Sequence, residues 1–239
     1  MDDDSSNQEW AYSYSTITTD QAERRLDFRL SEVLESAKPI ADVLRGLGAS
    51  SIYETRYTKE KVYDRIVEYL KVETPPSIPS DYINKFSLND LVYTVIAPII
   101  SDYMDVSEDD GIKIFREKEI VGVDGEIGGE VEFVVIDNIS VTEEKFVLVI
   151  TSGMKQLLLS MKDMRDRNRH GTIYGFTTTG DKWQMVSYDG AAWTVSEDFK
   201  LMFPRMREPE QKERWMQDFS GLIDVMYFAL SDGGAVKQV

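Results

Sequence analysis

The feature that most constrains the fold is a run of five apolar residues, 146–150, that ends abruptly at a Thr-Ser-Gly sequence, 151–153. A run that is apolar at every position predicts a strand covered on both faces, because a strand with one wet face alternates apolar and polar residues. The period then changes to that of a helix, with apolar residues on one stripe at Met154, Leu157, Leu158 and Met161. The chain therefore predicts a buried strand that leads directly into a helix lying on the same sheet.

The patterns on either side of this unit predict further strands and helices. Turn residues separate strand-like runs at 112–121, 131–137, 172–179, 183–188 and 193–195. Helical periodicity precedes these runs from residue 19 onward, and one long helix is expected over 207–230. We expect an α/β fold with a mixed central sheet of about five to six strands flanked by helices, together with an N-terminal helical extension.

Composition along the chain predicts four regions. Residues 1–18 carry four acids and many Ser, Thr and Asn residues, which is typical of a disordered acidic tail. Two amphipathic helices, expected to form a hairpin, occupy 19–73. Residues 74–86 form a linker, because three prolines within five residues prevent a helix from continuing. The α/β domain then extends over 87–239.

The tail is unusual in carrying three aromatic residues, Trp10, Tyr12 and Tyr14. Aromatic residues are scarce in segments that only solvate a protein. Two interpretations stay open: the segment is a short docking strand for a partner, or it folds back on its own domain. In the first case these three residues are binding residues.

Residue types that the chain lacks exclude several classes of site. There is no cysteine and a single histidine, His170, so disulfides, thiolate nucleophiles and metal centres built on several imidazoles are excluded. His170 precedes a glycine at a predicted helix end, where an imidazolium complements the helix dipole. The chain has no apolar run near the ~20 residues of a membrane span and no signal-peptide pattern, so we expect an intracellular protein, cytoplasmic or nuclear.

The net charge of −16 disfavours binding to nucleic acids and anionic lipids. One stretch, 154–170, has the opposite balance and contains Lys162, Arg165, Arg167 and Arg169. The simpler interpretation is a solvated helix face with intrahelical ion pairs, such as Lys162 with Asp166. The alternative is that these four cations bind a nucleic acid.

Three short patterns occur in a defined order: Gln156 on the predicted helix, Tyr-Gly-Phe-Thr-Thr at 174–178, and Gly-Asp-Lys-Trp at 180–183. Together with the helix and strands that precede them, they resemble the PD-(D/E)XK phosphodiesterase superfamily, which has the restriction-endonuclease-like fold. Within that superfamily the chain is most similar to domains of fungal and oomycete proteins, including Crinkler-type effectors. The resemblance covers about Ser87 to Trp193.

The resemblance implies where a catalytic site would lie. Such nucleases hold Mg²⁺ with an acid on the first strand of the hairpin and with the acid of an acid-x-Lys motif, whose lysine steadies the attacking water. The first acid falls on Glu132, or on its neighbour Glu130. The motif falls on Thr151-Ser152-Gly153, where Thr151 and Gly153 replace the carboxylate and the ammonium group. Glu132, Thr151 and Gly153 are therefore the expected remnant positions.

Three hypotheses follow from this comparison. The first is a catalytically inactive nuclease-fold module that binds no metal or cofactor and acts through a protein partner or as a homo-oligomer. The second is a Mg²⁺-dependent phosphodiesterase with a rearranged site, drawn from Glu130, Glu132, Asp137 or Asp90 with Lys155 and Gln156. The third is a nucleic-acid binder that does not cleave.

Overall fold

A computed structural model describes residues 10–48, 54–72, 85–140, 143–168 and 170–233, and the first helix of the third range has described side chains from Leu88 onward. Most of the predicted linker, 74–84, lies outside the described residues, as does the first half of the predicted tail, 1–9. In the described ranges the helices are α1 (Thr19–Leu26), α2 (Leu30–Glu35), α3 (Ile40–Gly46), α4 (Arg56–Val72), α5 (Lys85–Ser107), α6 (Met154–Asn168), α7 (Lys212–Asp218) and α8 (Gly221–Asp232). The strands are β1 (Tyr12–Ser13), β2 (Ile112–Val121), β3 (Ile127–Ser140), β4 (Glu143–Thr151), β5 (Ile173–Thr178), β6 (Lys182–Tyr188), β7 (Trp193–Val195) and β8 (Phe199–Lys200).

These strands form one open mixed sheet in the order β1-β3-β4-β5-β6-β7, with β2 paired to β3 and β8 paired to β6. The β4–β5 and β1–β3 pairs are parallel, and the other pairs are antiparallel. The predicted α/β fold with a mixed sheet flanked by helices is therefore confirmed. The sheet has more strands than expected because β1 and β8 have two residues each, too few to produce a periodic pattern.

The buried strand and the helix after it have the predicted arrangement. Residues 146–151 of β4 are all buried, and β4 lies between β3 and β5. The helix α6 begins three residues after β4 ends. Its residues Leu157, Leu158 and Met161 are completely buried in the core that this helix shares with the sheet.

The sheet carries one apolar core on each face. The larger core contains residues of α4, α5 and α8, such as Ile66, Ile96 and Ile223. The second core contains residues of α6 and of the N-terminal segment, the described part of the chain up to the end of α4 (residues 10–48 and 54–72). Examples are Met164 and Tyr14. Both cores are buried by packing within the chain, and none of the described helices is long and apolar enough to cross a bilayer.

The N-terminal helices do not form the hairpin expected over 19–73. Helices α1 and α2 contribute Leu26 and Val33 to the core on the α6 side, whereas α3 and α4 contribute Val43 and Ile66 to the opposite core. Between α2 and α3 the chain passes the edge of the sheet, where Lys38 N–H donates to the Val195 carbonyl at 3.0 Å. The N-terminal segment therefore covers parts of both faces of the sheet.

The second half of the predicted tail is ordered, in contrast to the expected disorder of 1–18. Strand β1 pairs in parallel with the start of β3, and Tyr14 is only 1% exposed. Two glycines of β3 permit this contact: a Cβ atom on Gly128 would lie 2.9 Å from Trp10 Cδ2, and one on Gly129 would lie 3.1 Å from Tyr14 Cδ2. The aromatic residues of 10–14 thus dock on their own domain.

The long helix predicted over 207–230 is interrupted. A 3-10 turn at Pro209–Gln211 leads into α7, and α8 starts only after a break at Phe219 and Ser220. The Ser220 hydroxyl donates to the Met216 carbonyl at 2.7 Å and closes the end of α7. Apolar residues keep a helical spacing across this break, so the periodicity of the sequence does not reveal it.

The side chain of Asn168, at the end of α6, forms two hydrogen bonds with the backbone of β4. Its amide accepts from Phe146 N–H at 2.9 Å and donates to the Phe146 carbonyl at 2.7 Å.

Replacing Asn168 with alanine should lower the free energy of unfolding by about 3 kcal/mol, because a buried polar group left without a partner costs ~1–3 kcal/mol. Urea denaturation measures this change. Asn138→Ala, which removes one half-buried hydrogen bond, is the control and should cost about 1 kcal/mol.

Candidate functional site

Glu132 lies where the pairing of β2 with β3 is irregular. The register pairs Arg116 with Phe133 and Lys118 with Val131, and it skips Glu117 and Glu132 between them. Glu117 has a φ of 50°, an uncommon left-handed conformation for a residue other than glycine. As a result, Val131 belongs to the core on the α6 side and Phe133 to the opposite core. The sheet changes its alternation at the position of Glu132.

The carboxylate of Glu132 is buried and only half satisfied. The residue is 8% exposed, and its Oε1 accepts a hydrogen bond from the Ser152 hydroxyl at 2.9 Å. Its Oε2 is buried and has no hydrogen-bond partner. A buried carboxylate oxygen without a hydrogen-bond donor lowers the stability of the fold. Such an atom in a native structure is therefore a candidate for a functional role.

Thr151 and Gly153 close the strand and start the helix. Thr151 is 1% exposed, and its hydroxyl donates to the Gly153 carbonyl at 3.0 Å. The same carbonyl accepts from Leu157 N–H at 2.9 Å and so begins the hydrogen-bond series of α6. Neither residue offers a carboxylate or an ammonium group, and both have local structural roles.

Lys155 and Gln156, the candidates for a rearranged site, hold neighbouring chain segments in place. The Lys155 ammonium group donates to the Ile17 carbonyl at 2.5 Å, which ties the N-terminal segment to the first turn of α6. The Gln156 side chain donates to the Glu130 carbonyl at 2.7 Å, which ties α6 to β3. These two bonds thus fix the N-terminal segment and β3 to the start of α6.

Of the other candidate acids, Asp90 has another partner, Asp137 lies further along β3, and Glu130 is exposed two residues before Glu132. Asp90 forms an ion pair with Arg116 at 2.9 Å, and the Glu130 side chain is exposed. Asp137 stands five residues further along the same strand, about 17 Å away at ~3.3 Å per residue. Burial and the nearby charge of Asp109 raise the pKa of the Asp137 carboxyl group.

These positions bear on whether Mg²⁺ fits the site. Mg²⁺ requires a nearly octahedral set of oxygen ligands, usually one or two protein carboxylates together with waters and substrate phosphates. Among the residues that the structure describes, no three Asp, Glu or His side chains are placed to hold a metal ion. Within the described ranges, Glu132 is therefore not part of a group of three such ligands that could form the magnesium site that the resemblance implies.

A second cluster of charged residues, not predicted from the sequence, fixes the N-terminal segment to α6. Arg25 contacts Asp163 and Asp124, each at 2.6 Å, and the Tyr14 hydroxyl donates to Asp163 at 2.8 Å. Asp163 is completely buried. Burial raises the pKa of Asp163, and the hydrogen bond from Arg25 opposes that increase. One sequence signal was available, since Asp163 stands four residues after Leu159 and so lies on the buried side of α6.

The cations of α6 are engaged in contacts within the protein. Lys162 forms the predicted pair with Asp166 at 2.9 Å. Arg165 and Arg167 donate to the carbonyls of Asp189 and Val121 at 3.0 and 2.8 Å. Arg169 lies outside the described residues, and His170 is exposed just beyond the helix end. These contacts stabilise the fold and leave fewer free donors for a phosphate backbone.

The three aromatic residues of the N-terminal segment differ in accessibility. Tyr12 is 52% exposed, Trp10 is half-buried, and Tyr14 is buried against Asp163. The indole N–H of Trp10 is buried without a hydrogen-bond partner. Of the three expected binding residues, Tyr14 is therefore inaccessible to a partner while the segment stays docked.

The phenol of Tyr14 should make stability depend on alkaline pH. Burial and the charge of Asp163 raise its pKa, so the folded protein retains a proton that the unfolded chain loses above pH ~10. Stability is complete below that pH and falls as the pH rises, with a contribution from Tyr14 of about 1.4 kcal/mol per pH unit. Urea denaturation from neutral to alkaline pH should show a shallower decline for Tyr14→Phe than for the unmodified protein. Tyr12→Phe is the control, because its side chain is largely exposed, and an identical slope for all three proteins would contradict this role of Tyr14.

Comparisons with protein-family models, with curated proteins and with solved structures find no match to this chain.

Proposed function

We propose that this protein is a catalytically inactive nuclease-fold module that acts as a protein-interaction or scaffold subunit. The nuclease-like core would supply a rigid sheet, and the partner would bind to its surface. In this proposal Glu132, Thr151 and Gly153 are remnants of a metal site and no longer take part in chemistry.

The observation that carries the proposal is that Ser152, Thr151 and Lys155, at or next to the motif position, are all hydrogen-bonded within the protein. Ser152 donates to one oxygen of Glu132, Thr151 bonds to Gly153, and the ammonium group of Lys155 is engaged by the Ile17 carbonyl. A nuclease site needs a carboxylate pair for the metal and a lysine free to orient water. Of the remaining candidate acids, Asp90 is paired with Arg116 and Asp137 lies five residues from Glu132 along β3, so neither supplies the missing carboxylate.

Charge supports a protein partner over a nucleic acid. The chain carries a net charge of −16, which repels a phosphate backbone at long range. The cations of α6 that would have to overcome this field are bonded to Asp166, Asp189 and Val121. Binding through a protein surface does not meet this obstacle.

The proposal is tested by rebuilding the motif. A double variant, Thr151→Asp with Gly153→Lys, restores an acid and a lysine; the added lysine has room, because a Cβ atom on Gly153 meets no other atom within 4 Å. Titration calorimetry with Mn²⁺ should show binding to the double variant and none to the unmodified protein. Gly153→Lys alone, which lacks the acid, is the control and should behave like the unmodified protein. A double variant that keeps its circular dichroism spectrum and binds no metal would refute the nuclease-like origin of the site.

The inactive state is tested separately with labelled DNA and RNA. The unmodified protein should release no products with Mg²⁺ or Mn²⁺, and Glu132→Ala should behave identically. Metal-dependent cleavage by the unmodified protein that Glu132→Ala abolishes would establish the phosphodiesterase alternative instead.

A further inference from the structure

Two glutamates stand directly opposite each other on the first two long strands of the sheet. The register pairs Glu119 of β2 with Glu130 of β3, and both side chains are exposed. In an antiparallel pair, residues directly opposite lie on the same face with Cβ atoms about 5 Å apart. Like charges at that separation destabilise the sheet, so this pair costs stability in the isolated protein.

Two further glutamates lie next to this pair in the strands, at the position where the sheet changes its alternation. Glu117 precedes Glu119 by two residues on β2, and Glu132 follows Glu130 by two residues on β3. We call Glu117, Glu119, Glu130 and Glu132 the glutamate strip. Glu117 is exposed. Glu132 is more than nine-tenths buried, and one oxygen of its carboxylate has no hydrogen-bond partner.

The nearby cations have other partners. Arg116 pairs with Asp90 at 2.9 Å, and Lys118 lies 3.8 Å from Glu144 with its ammonium group over the Phe115 ring. Lys155 donates to the Ile17 carbonyl. Within the described part of the chain, no ion pair reaches any member of the glutamate strip. Two independent observations, an opposed like-charge pair at Glu119 and Glu130 and a buried carboxylate oxygen without a donor two residues further along β3, therefore each point to a missing positive group.

We propose that the glutamate strip is the docking surface for a basic segment of a protein partner. Arginine or lysine side chains of that segment neutralise Glu119 and Glu130, and one of them donates to the free oxygen of Glu132 beside the exposed Ser152. This proposal rests on the proposed function and specifies it, because it names the surface of the module and the chemistry of its partner.

Charge and hydrogen-bonding geometry select this occupant. A guanidinium group carries five N–H donors and can reach two carboxylates at once, which suits a row of glutamates. A single metal ion is a poor occupant, because no three acidic or histidine side chains of the described residues are placed around one point. A nucleic acid is repelled by the same charges, and a second copy of this chain is itself acidic, with a net charge of −16.

The experiment uses the full-length chain and a fluorescent peptide that alternates arginine and serine, with both ends blocked. Fluorescence anisotropy should show saturable binding that weakens as salt is added. The double variant Glu119→Gln with Glu130→Gln should weaken binding by about tenfold or more, and Glu132→Gln, which keeps the shape of the side chain, should weaken it by a similar factor. A peptide that alternates glutamate and serine should not bind.

The matched control is Glu197→Gln with Asp198→Asn, which removes the same charge from two exposed acids away from the strip. It should change the affinity by less than about twofold, because the effect of net charge alone is screened by salt. A second measurement separates docking from a structural role. Glu119→Gln with Glu130→Gln should raise the melting temperature of the free protein, since it removes repulsion within the sheet.

Equal weakening in the control variant, or no change in the strip variants, would overturn the proposal, as would a lower melting temperature of the Glu119/Glu130 variant. Displacement of the peptide by Mg²⁺ that Glu132→Gln prevents would also overturn it, because it would assign the strip to a metal. These outcomes are distinct from a failure of the proposed function, which would show as nucleic-acid cleavage or as a rebuilt motif that binds no metal.

Discussion

The rest of the structure depends on the burial of β4. A strand whose residues 146–151 are all buried must be covered on both faces, and neither face can be left to solvent. Helix α6 covers one face, and α4, α5 and α8 supply the core of the other. The N-terminal segment completes both layers, because it passes from one face to the other at the edge of the sheet near Lys38. Residues 10–48 and 54–72 therefore belong to the architecture of the sheet as much as to an extension of it.

The same coverage determines what is left at the end of β4. In the first turns of α6, Lys155 and Gln156 bond to main-chain carbonyls of the N-terminal segment and of β3. The ion pairs of Arg25 and the hydrogen bond of Tyr14 fix that segment further along the helix. Lys155 thus maintains the packing of the N-terminal segment, and Gln156 that of α6 on β3. The exposed glutamates next to Glu132 offer a surface with a clear electrostatic preference.

The prediction of the fold succeeded where a local pattern had one physical meaning. An apolar run bounded by turn residues identified β4, and the change of period at Met154 identified α6. It failed where several residues act across long distances. No local pattern shows that Gly128 and Gly129 allow Trp10 and Tyr14 to pack on β3. The break at Ser220 was missed because apolar spacing continues through it, and the hairpin of 19–73 was wrong because an amphipathic stripe does not show which core it faces.

For the candidate site, the sequence alone established which chemical groups exist: no thiol, a single imidazole, and Thr-Ser-Gly at the end of the buried strand. The sequence also determined the acidic net charge and the presence of two glutamates in each of the segments that form β2 and β3. Only the tertiary structure decided that Glu119 faces Glu130, that Glu132 is buried with one oxygen unsatisfied, and that Lys155 is engaged by Ile17. The physical reason is that residue chemistry is local to the chain, whereas register, burial and hydrogen-bond partners arise only when segments far apart in sequence meet.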